Sequence, residues 1–61
     1  MSGFKIGDPK TGKKEPEEYA DMEDAEEAAL KASIDDGLWG VWDEETGILI
    51  SLAFGSVLFS S

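Results

Sequence analysis

The segment DMEDAEEAALKASIDDGLWGVW, residues 21–42, decides the fold class. It reads as an acidic helix that stops at a glycine and runs directly into a strand. Asp21 suits the N-cap, where a short acceptor side chain meets the unpaired first-turn amides, and Asp24 three residues on is a shortened relative of the capping box. Acids crowd the first turns, where the helix dipole favours negative charge. The interior is built of Ala, Glu, Leu and Lys, all strong helix formers. This predicts a helix from about Met22 to Ile34, inside an acidic segment spanning 21–36. Gly37, after the Asp35–Asp36 pair, is a natural stop. Met22, Ala25, Ala28, Ala29 and Ala32 fall on one stripe at helical spacing, and small alanines let a helix approach a sheet closely. Glu23, Glu27 and Lys31 follow at i, i+4, i+8 on an outward row.

Strand patterns lie on both sides of the helix. Leu38-Trp39-Gly40-Val41-Trp42 has the aromatic and β-branched content of a strand. Ile48 to Phe54 is predicted as a second strand, with Ile48, Ile50, Leu52 and Phe54 on one face by period-2 alternation. Between them Asp43-Glu44-Glu45-Thr46-Gly47 reads as a type I turn closed by a left-handed glycine. Gly55-Ser56 breaks the chain, and Val57 to Phe59 forms a short last strand. On the N-terminal side, Phe4 to Asp8 reads as a strand. Asp8, Thr11 and Gly12 repeat the spacing of Asp43, Thr46 and Gly47, so a second D-x-x-T-G turn is expected there. Its return strand, Lys13 to Tyr19, is interrupted by Pro16, which suits a sheet edge. Either Trp39 and Val41, or Leu38 and Trp42, must face the helix; alternation leaves both open.

The expected architecture is α+β: a single small domain over 1–61, with one acidic helix packed on a short antiparallel sheet in β(β)αββ(β) order. An N-terminal strand or hairpin occupies 1–20, the acidic helix 21–36 and the C-terminal antiparallel strands 38–59. The 61 residues allow one core, and a chain of this size buries only ~60% of its unfolded surface. The hydrophobic share of 41%, with two Trp, three Phe and one Tyr, is enough for a packed core rather than a disordered chain.

Charge is unevenly distributed. Residues 1–14 carry Lys5, Lys10, Lys13 and Lys14 against Asp8, net +3. Residues 15–45 carry thirteen acids against Lys31, net −12, and residues 46–61 carry no charged side chain. The formal net charge is −9. Nucleic acid is therefore not expected as a direct partner, since phosphate neutralisation needs clustered cations. Cysteine, histidine and arginine are absent, so disulfides, thiolate metal sites and imidazole chemistry are ruled out. The opening residues lack a cationic start followed by an apolar run. The longest apolar stretch, Ile48 to Phe59, is about 12 residues, against roughly 20 for a membrane span. A soluble, cytoplasmic protein away from the membrane is the expectation.

No chemistry-bearing motif is complete. Paired carboxylates are plentiful, but acid–base work needs one of them in an apolar pocket that raises its pKa. The calcium loop D-x-[DN]-x-[DN]-G with a glutamate at its twelfth position is missing, and acids along a helix diverge. Gly7 and Gly12-Lys13 have phosphate-loop spacing, but Lys14 stands where Ser or Thr belongs and Pro16 follows too soon for a helix. Neither an enzyme nor a cofactor or metal site is expected. Asp35 and Asp36 also have a plain reading as a helix end, and Asp43 as the start of a turn.

The acidic block has a more specific consequence. Glu17, Glu18, Asp21, Glu23, Asp24, Glu26, Glu27, Asp35 and Asp36, beside Asp43, Glu44 and Glu45, offer an anionic surface to a cationic partner. Double-stranded DNA carries one negative charge per ~1.7 Å of axis, and a surface of comparable density would be steered into a lysine- and arginine-lined groove. With Trp39 and Trp42 nearby, these acids from Glu15 to Glu45 give a profile that resembles small acidic phage-encoded inhibitors, including anti-CRISPR proteins that act as DNA mimics. The resemblance implies a non-enzymatic inhibitor whose partner is a basic nucleic-acid-binding protein such as a Cas effector complex, bound where that complex engages target DNA, in the host cytoplasm. The alternative is a small adaptor or assembly domain that uses its uncharged C-terminal strands for self-association or partner binding. Monomer and homodimer both fit the sequence.

Overall fold

Two near-identical turns shape the sheet. In each, an aspartate opens the turn, its carboxylate accepts the N–H two residues on, and its carbonyl accepts the N–H of the closing glycine. Asp8 Oδ1 takes Lys10 N–H at 2.8 Å and Asp8 O takes Gly12 N–H at 2.8 Å. Asp43 Oδ1 takes Glu45 N–H at 2.9 Å and Asp43 O takes Gly47 N–H at 2.7 Å. Thr11 and Thr46 each accept a further amide, from Lys13 and Ile48. Gly12 and Gly47 sit at φ 77° and 74°, where an L side chain is strained. The D-x-x-T-G spacing thus encodes one turn geometry used twice.

The computed structural model describes residues 3–60, and the side chains of Asp36 and Ser60 lie outside the described set. The elements are β1 (Phe4–Asp8), β2 (Lys13–Lys14), α1 (Met22–Asp36), β3 (Leu38–Asp43), β4 (Ile48–Phe54) and β5 (Val57–Ser60). They form one antiparallel sheet, in the order β2-β1-β3-β4-β5, with α1 against one side. The fold is α+β, with the element order expected from the sequence. The return strand after the first turn is shorter than the pattern suggested. It pairs at Lys13 and Lys14, leaves the ladder at Pro16 and rejoins β1 through mutual 2.7 Å bonds between Phe4 and Tyr19.

The helix begins after Asp21, whose backbone is extended as an N-cap should be, yet whose carboxylate caps no amide. It ends when Gly37 turns to φ 87° and returns its N–H to Ser33 O. It therefore runs to Asp36, two residues past the Ile34 expected from propensity. Its buried row is Ala25, Ala29 and Ser33, at i, i+4, i+8. Ala28 packs partly against the same core, while Met22 is largely exposed. These small residues meet Ile6, Val41 and Ala53 of the sheet.

Trp39 and Val41 face the helix. Trp42 lies on the other face, yet is only 8% exposed. Its ring and the Leu49 side chain cover Gly40, where a Cβ would meet Leu49 Cδ1 at 2.7 Å, and Lys14 Nζ sits 5.4 Å from the ring centroid. Gly40 is therefore the notch that lets an indole lie flat on the open side of the sheet.

The expected single face for Ile48, Ile50, Leu52 and Phe54 is overturned. Val41 pairs with Ser51 but Trp42 pairs with Leu49, so Ile50 and Ser51 together stand against Val41. This β-bulge switches the alternation. Ile50, Ser51 and Ala53 belong to the helix side, whereas Leu49, Leu52 and Phe54 belong to the open side.

Gly7 carries a testable consequence. A Cβ there would run into the Lys13 carbonyl and the Lys14 backbone, neither of which is a flexible side-chain end. Gly7→Ala is expected to cost about 2–3 kcal/mol by forcing the β1–β2 ladder apart. Gly12→Ala meets open space and costs only its left-handed backbone, about 1 kcal/mol. Urea unfolding of the two variants checks the order.

Candidate functional site

The antiparallel pairing of Phe4 with Asp43 brings the start of β1 and the end of β3 together. The N-terminal end of α1 lies over the same place. A groove of about 520 Å³ there is lined by Met22 and Glu26 of the helix, by Phe4, Asp43, Ile50 and Ser51, and by Leu58 of β5. Glu18 reaches the same end, next to Gly3, whose carbonyl accepts Glu44 N–H. Glu17 is exposed close by and accepts the Tyr19 hydroxyl at 3.2 Å. One end of the molecule therefore collects Glu17, Glu18, Asp21, Glu23, Asp24, Glu26, Asp43 and Glu45.

Five of the acids read as a surface have local partners, Glu17 through the Tyr19 hydroxyl among them. Glu44 points across the open face of the sheet, where Lys14 Nζ lies 2.8 Å and Lys5 Nζ 3.9 Å from its oxygens. Glu27 pairs with Lys31 at 3.2 Å on the exposed helix face, the expected i, i+4 contact. Glu26 accepts the hydroxyl of the buried Ser51 at 2.8 Å and so ties the helix to β4. Asp43 both borders the groove and holds its turn through Glu45 N–H. Asp35 is exposed near the far end of α1, about 20 Å along the axis from Asp21. The Asp36 side chain lies outside the described residues. Lys10 and Lys13, on the β1–β2 turn, sit at the end of the sheet opposite Asp43 to Glu45.

Two serines are missing from the sequence reading of the site and core. Ser51 is described above. Ser33, equally buried, donates to Leu30 O at 2.7 Å and accepts Ser56 N–H at 3.0 Å. That second bond locks the helix end onto the β4–β5 turn, where Gly55 and Ser56 both have positive φ. An i, i+4, i+8 row through Ala25, Ala29 and Ser33 was the signal for Ser33; Ser51 gave none, because only the bulge turns it inward.

Among the described residues, no group of three or more His, Cys, Asp or Glu is placed to hold a metal ion. No helix among the described residues is long and apolar enough to cross a membrane. The Tyr19 phenol is held above its ordinary value of 10.0, first by partial desolvation, then by its hydrogen bond to Glu17 and the negative charges of Glu17 and Glu15. Comparison with protein-family models, curated proteins and solved structures finds no match to this chain. The arrangement is a carboxylate-rich end bordering a groove in which Phe4, Met22, Ile50 and Leu58 stand beside Glu26, Asp43 and Ser51.

Two outcomes follow. Ser51→Ala removes the bond that anchors Glu26 and is expected to cost about 1 kcal/mol in urea unfolding. The single tyrosine should titrate above pH 10.0 in the folded protein and return towards 10.0 in urea, by absorbance titration. A raised phenol pKa means that Tyr19 contributes stability below pH 10, lost as pH rises through its folded value.

Proposed function

We propose that this protein is a non-enzymatic binding protein whose acidic end occupies a basic nucleic-acid-binding groove of a partner protein and thereby inhibits it, as a DNA mimic does. The observation that carries this reading is the spatial gathering of carboxylates from three separate stretches of chain. The segment before α1 brings Glu17, Glu18 and Asp21, the helix brings Glu23, Asp24 and Glu26, and the end of β3 with the β3–β4 turn brings Asp43 and Glu45. Acids needed only for solubility have no reason to converge on one end. The turn at the opposite end of the sheet carries Lys10 and Lys13 beside Asp8.

Such a surface acts through long-range attraction. A lysine- and arginine-lined groove would be steered onto it, and the association would weaken as salt screens the field beyond about 10 Å. Base recognition plays no part; occupancy of the groove is the inhibitory act. A Cas effector complex, with its positively charged channel for nucleic acid, is the partner class that an anti-CRISPR-like role implies. Glu44 contributes little here, since two lysines already neutralise it. Glu17, Glu18, Asp21, Glu23, Asp24 and Glu45 are the exposed contributors and carry the proposal.

The test is capture of host proteins on the immobilised chain, with elution at low and then high salt. A nucleic-acid-binding protein released by salt is the expected result. Glu23→Lys combined with Glu45→Lys should then weaken its binding at least about tenfold, roughly 1.4 kcal/mol, with an unchanged circular dichroism spectrum. Binding that is indifferent both to salt and to the double reversal would refute the proposal.

A further inference from the structure

The sheet has a second side, and α1 does not cover it. Register places Leu38, Trp42, Leu49, Leu52, Phe54, Val57 and Phe59 there, in the cross-strand pairs Leu38–Phe54, Trp42–Leu49, Leu52–Phe59 and Phe54–Val57. Phe54, Val57 and Phe59 are 57%, 53% and 56% exposed, and Leu49 is 37% exposed. On the helix side Ala25, Ala29 and Ala53 are fully buried, and Phe4, Trp39, Ile50 and Leu58 pack partly buried around them. Large apolar side chains thus lie on both sides of the sheet, and on the uncovered side Leu49, Phe54, Val57 and Phe59 stay exposed. We propose that this face is a self-association surface, on which a second copy of the chain packs face to face about a two-fold axis.

Three observations select a second copy as the occupant. The first is charge. The described strand residues put only Lys5 and Lys14 on this face, and both pair with Glu44. The acids of the helix lie on the far side of the sheet. Packed layers are spaced about 10 Å apart, so two sheets meeting face to face hold their helices about 30 Å apart, well beyond the screening length. In this approach two chains of net charge −9 meet without opposing the carboxylates of their helices. The neutral face asks for no complementary charge, which favours an isologous, self-complementary contact.

The second is area. The molecule measures 30 × 22 × 22 Å, so one broad face covers about 600 Å² and a face-to-face pair buries about 1,200 Å², the lower bound of a standard stable interface. The third is stability. A chain of 61 residues with no cysteine and only a small fully buried core lacks the disulfide staples that small domains use, and association is another route to stability. This inference is independent of the acidic-end reading, and each can fail alone.

Sedimentation velocity over a wide concentration range is the experiment. The expected result is a species of twice the 6.6 kDa chain mass, with a urea midpoint that rises with protein concentration. Leu49→Lys and Phe59→Lys should each raise the dimer dissociation constant at least about thirtyfold. Leu49 lies inside the sheet, so its variant would spare a dimer formed by pairing two β5 edges. A dimer that survives Leu49→Lys but is lost in Phe59→Lys overturns the face-to-face arrangement. A wild-type monomer at millimolar concentration, with a concentration-independent urea midpoint, overturns self-association altogether. If either lysine variant fails to fold, the wild-type concentration dependence alone decides between dimer and monomer, and cross-linking across the face decides the geometry.

Discussion

The close approach of an alanine-faced helix to the sheet is the contact on which the rest of this structure depends. Ala25 and Ala29 touch Ile6, Val41 and Ala53, and Ser33 continues their row to the β4–β5 turn. Small side chains on both sides bring the layers together, so the interior between them is thin. Phe4, Trp39, Ile50 and Leu58 close its margins. Register places Phe54, Phe59 and Leu49 on the opposite face, where Trp42 is covered by Lys14 and by Leu49 beside it.

Polar bonds finish what the apolar contact begins. Ser51 to Glu26 pins the N-terminal half of the helix to β4, and Ser33 to Ser56 pins its C-terminal end to the last turn. Each satisfies a polar group that the close layers would otherwise strand, and a stranded buried group costs more than a made bond contributes. Lys14 and Glu44 play the matching part on the open face, linking the β2 edge to the β3–β4 turn. The charged residues are thus divided by role. Glu17, Glu26, Glu27, Asp43 and Glu44 have local partners, while Asp21, Glu23, Asp24 and Glu45 define the electrostatic character of one end.

Much of this was legible in the chain. The helix, its glycine stop, the strands after it and both D-x-x-T-G turns follow from propensity and local hydrogen bonding, which act over a few residues. The Glu27–Lys31 pair follows from helical spacing alone. The faces of β4 did not follow. Strict alternation puts Ile50 with Leu52 and Phe54, yet the bulge opposite Val41 separates them. A bulge depends on how two strands twist against one another and against a helix, which a single strand pattern does not contain. The N-cap is a milder case: Asp21 has the right backbone but caps no amide, and the helix starts there all the same.

The acids show the same division between local and distant information. Their number and their sign are properties of the chain, as is the absence of arginine, histidine and cysteine that rules out whole classes of chemistry. Residue order also placed the helix acids on a common element. Only the tertiary structure brought Glu17, Asp24, Asp43 and Glu45 to one end, gave Glu44 to the lysines and sent the aromatic side chains of β4 and β5 away from the helix. The physical reason is range. Turns and helices are settled by contacts within a few residues, whereas the side a strand residue faces and the neighbours a carboxylate meets are settled by β1 pairing with β3, more than thirty residues apart.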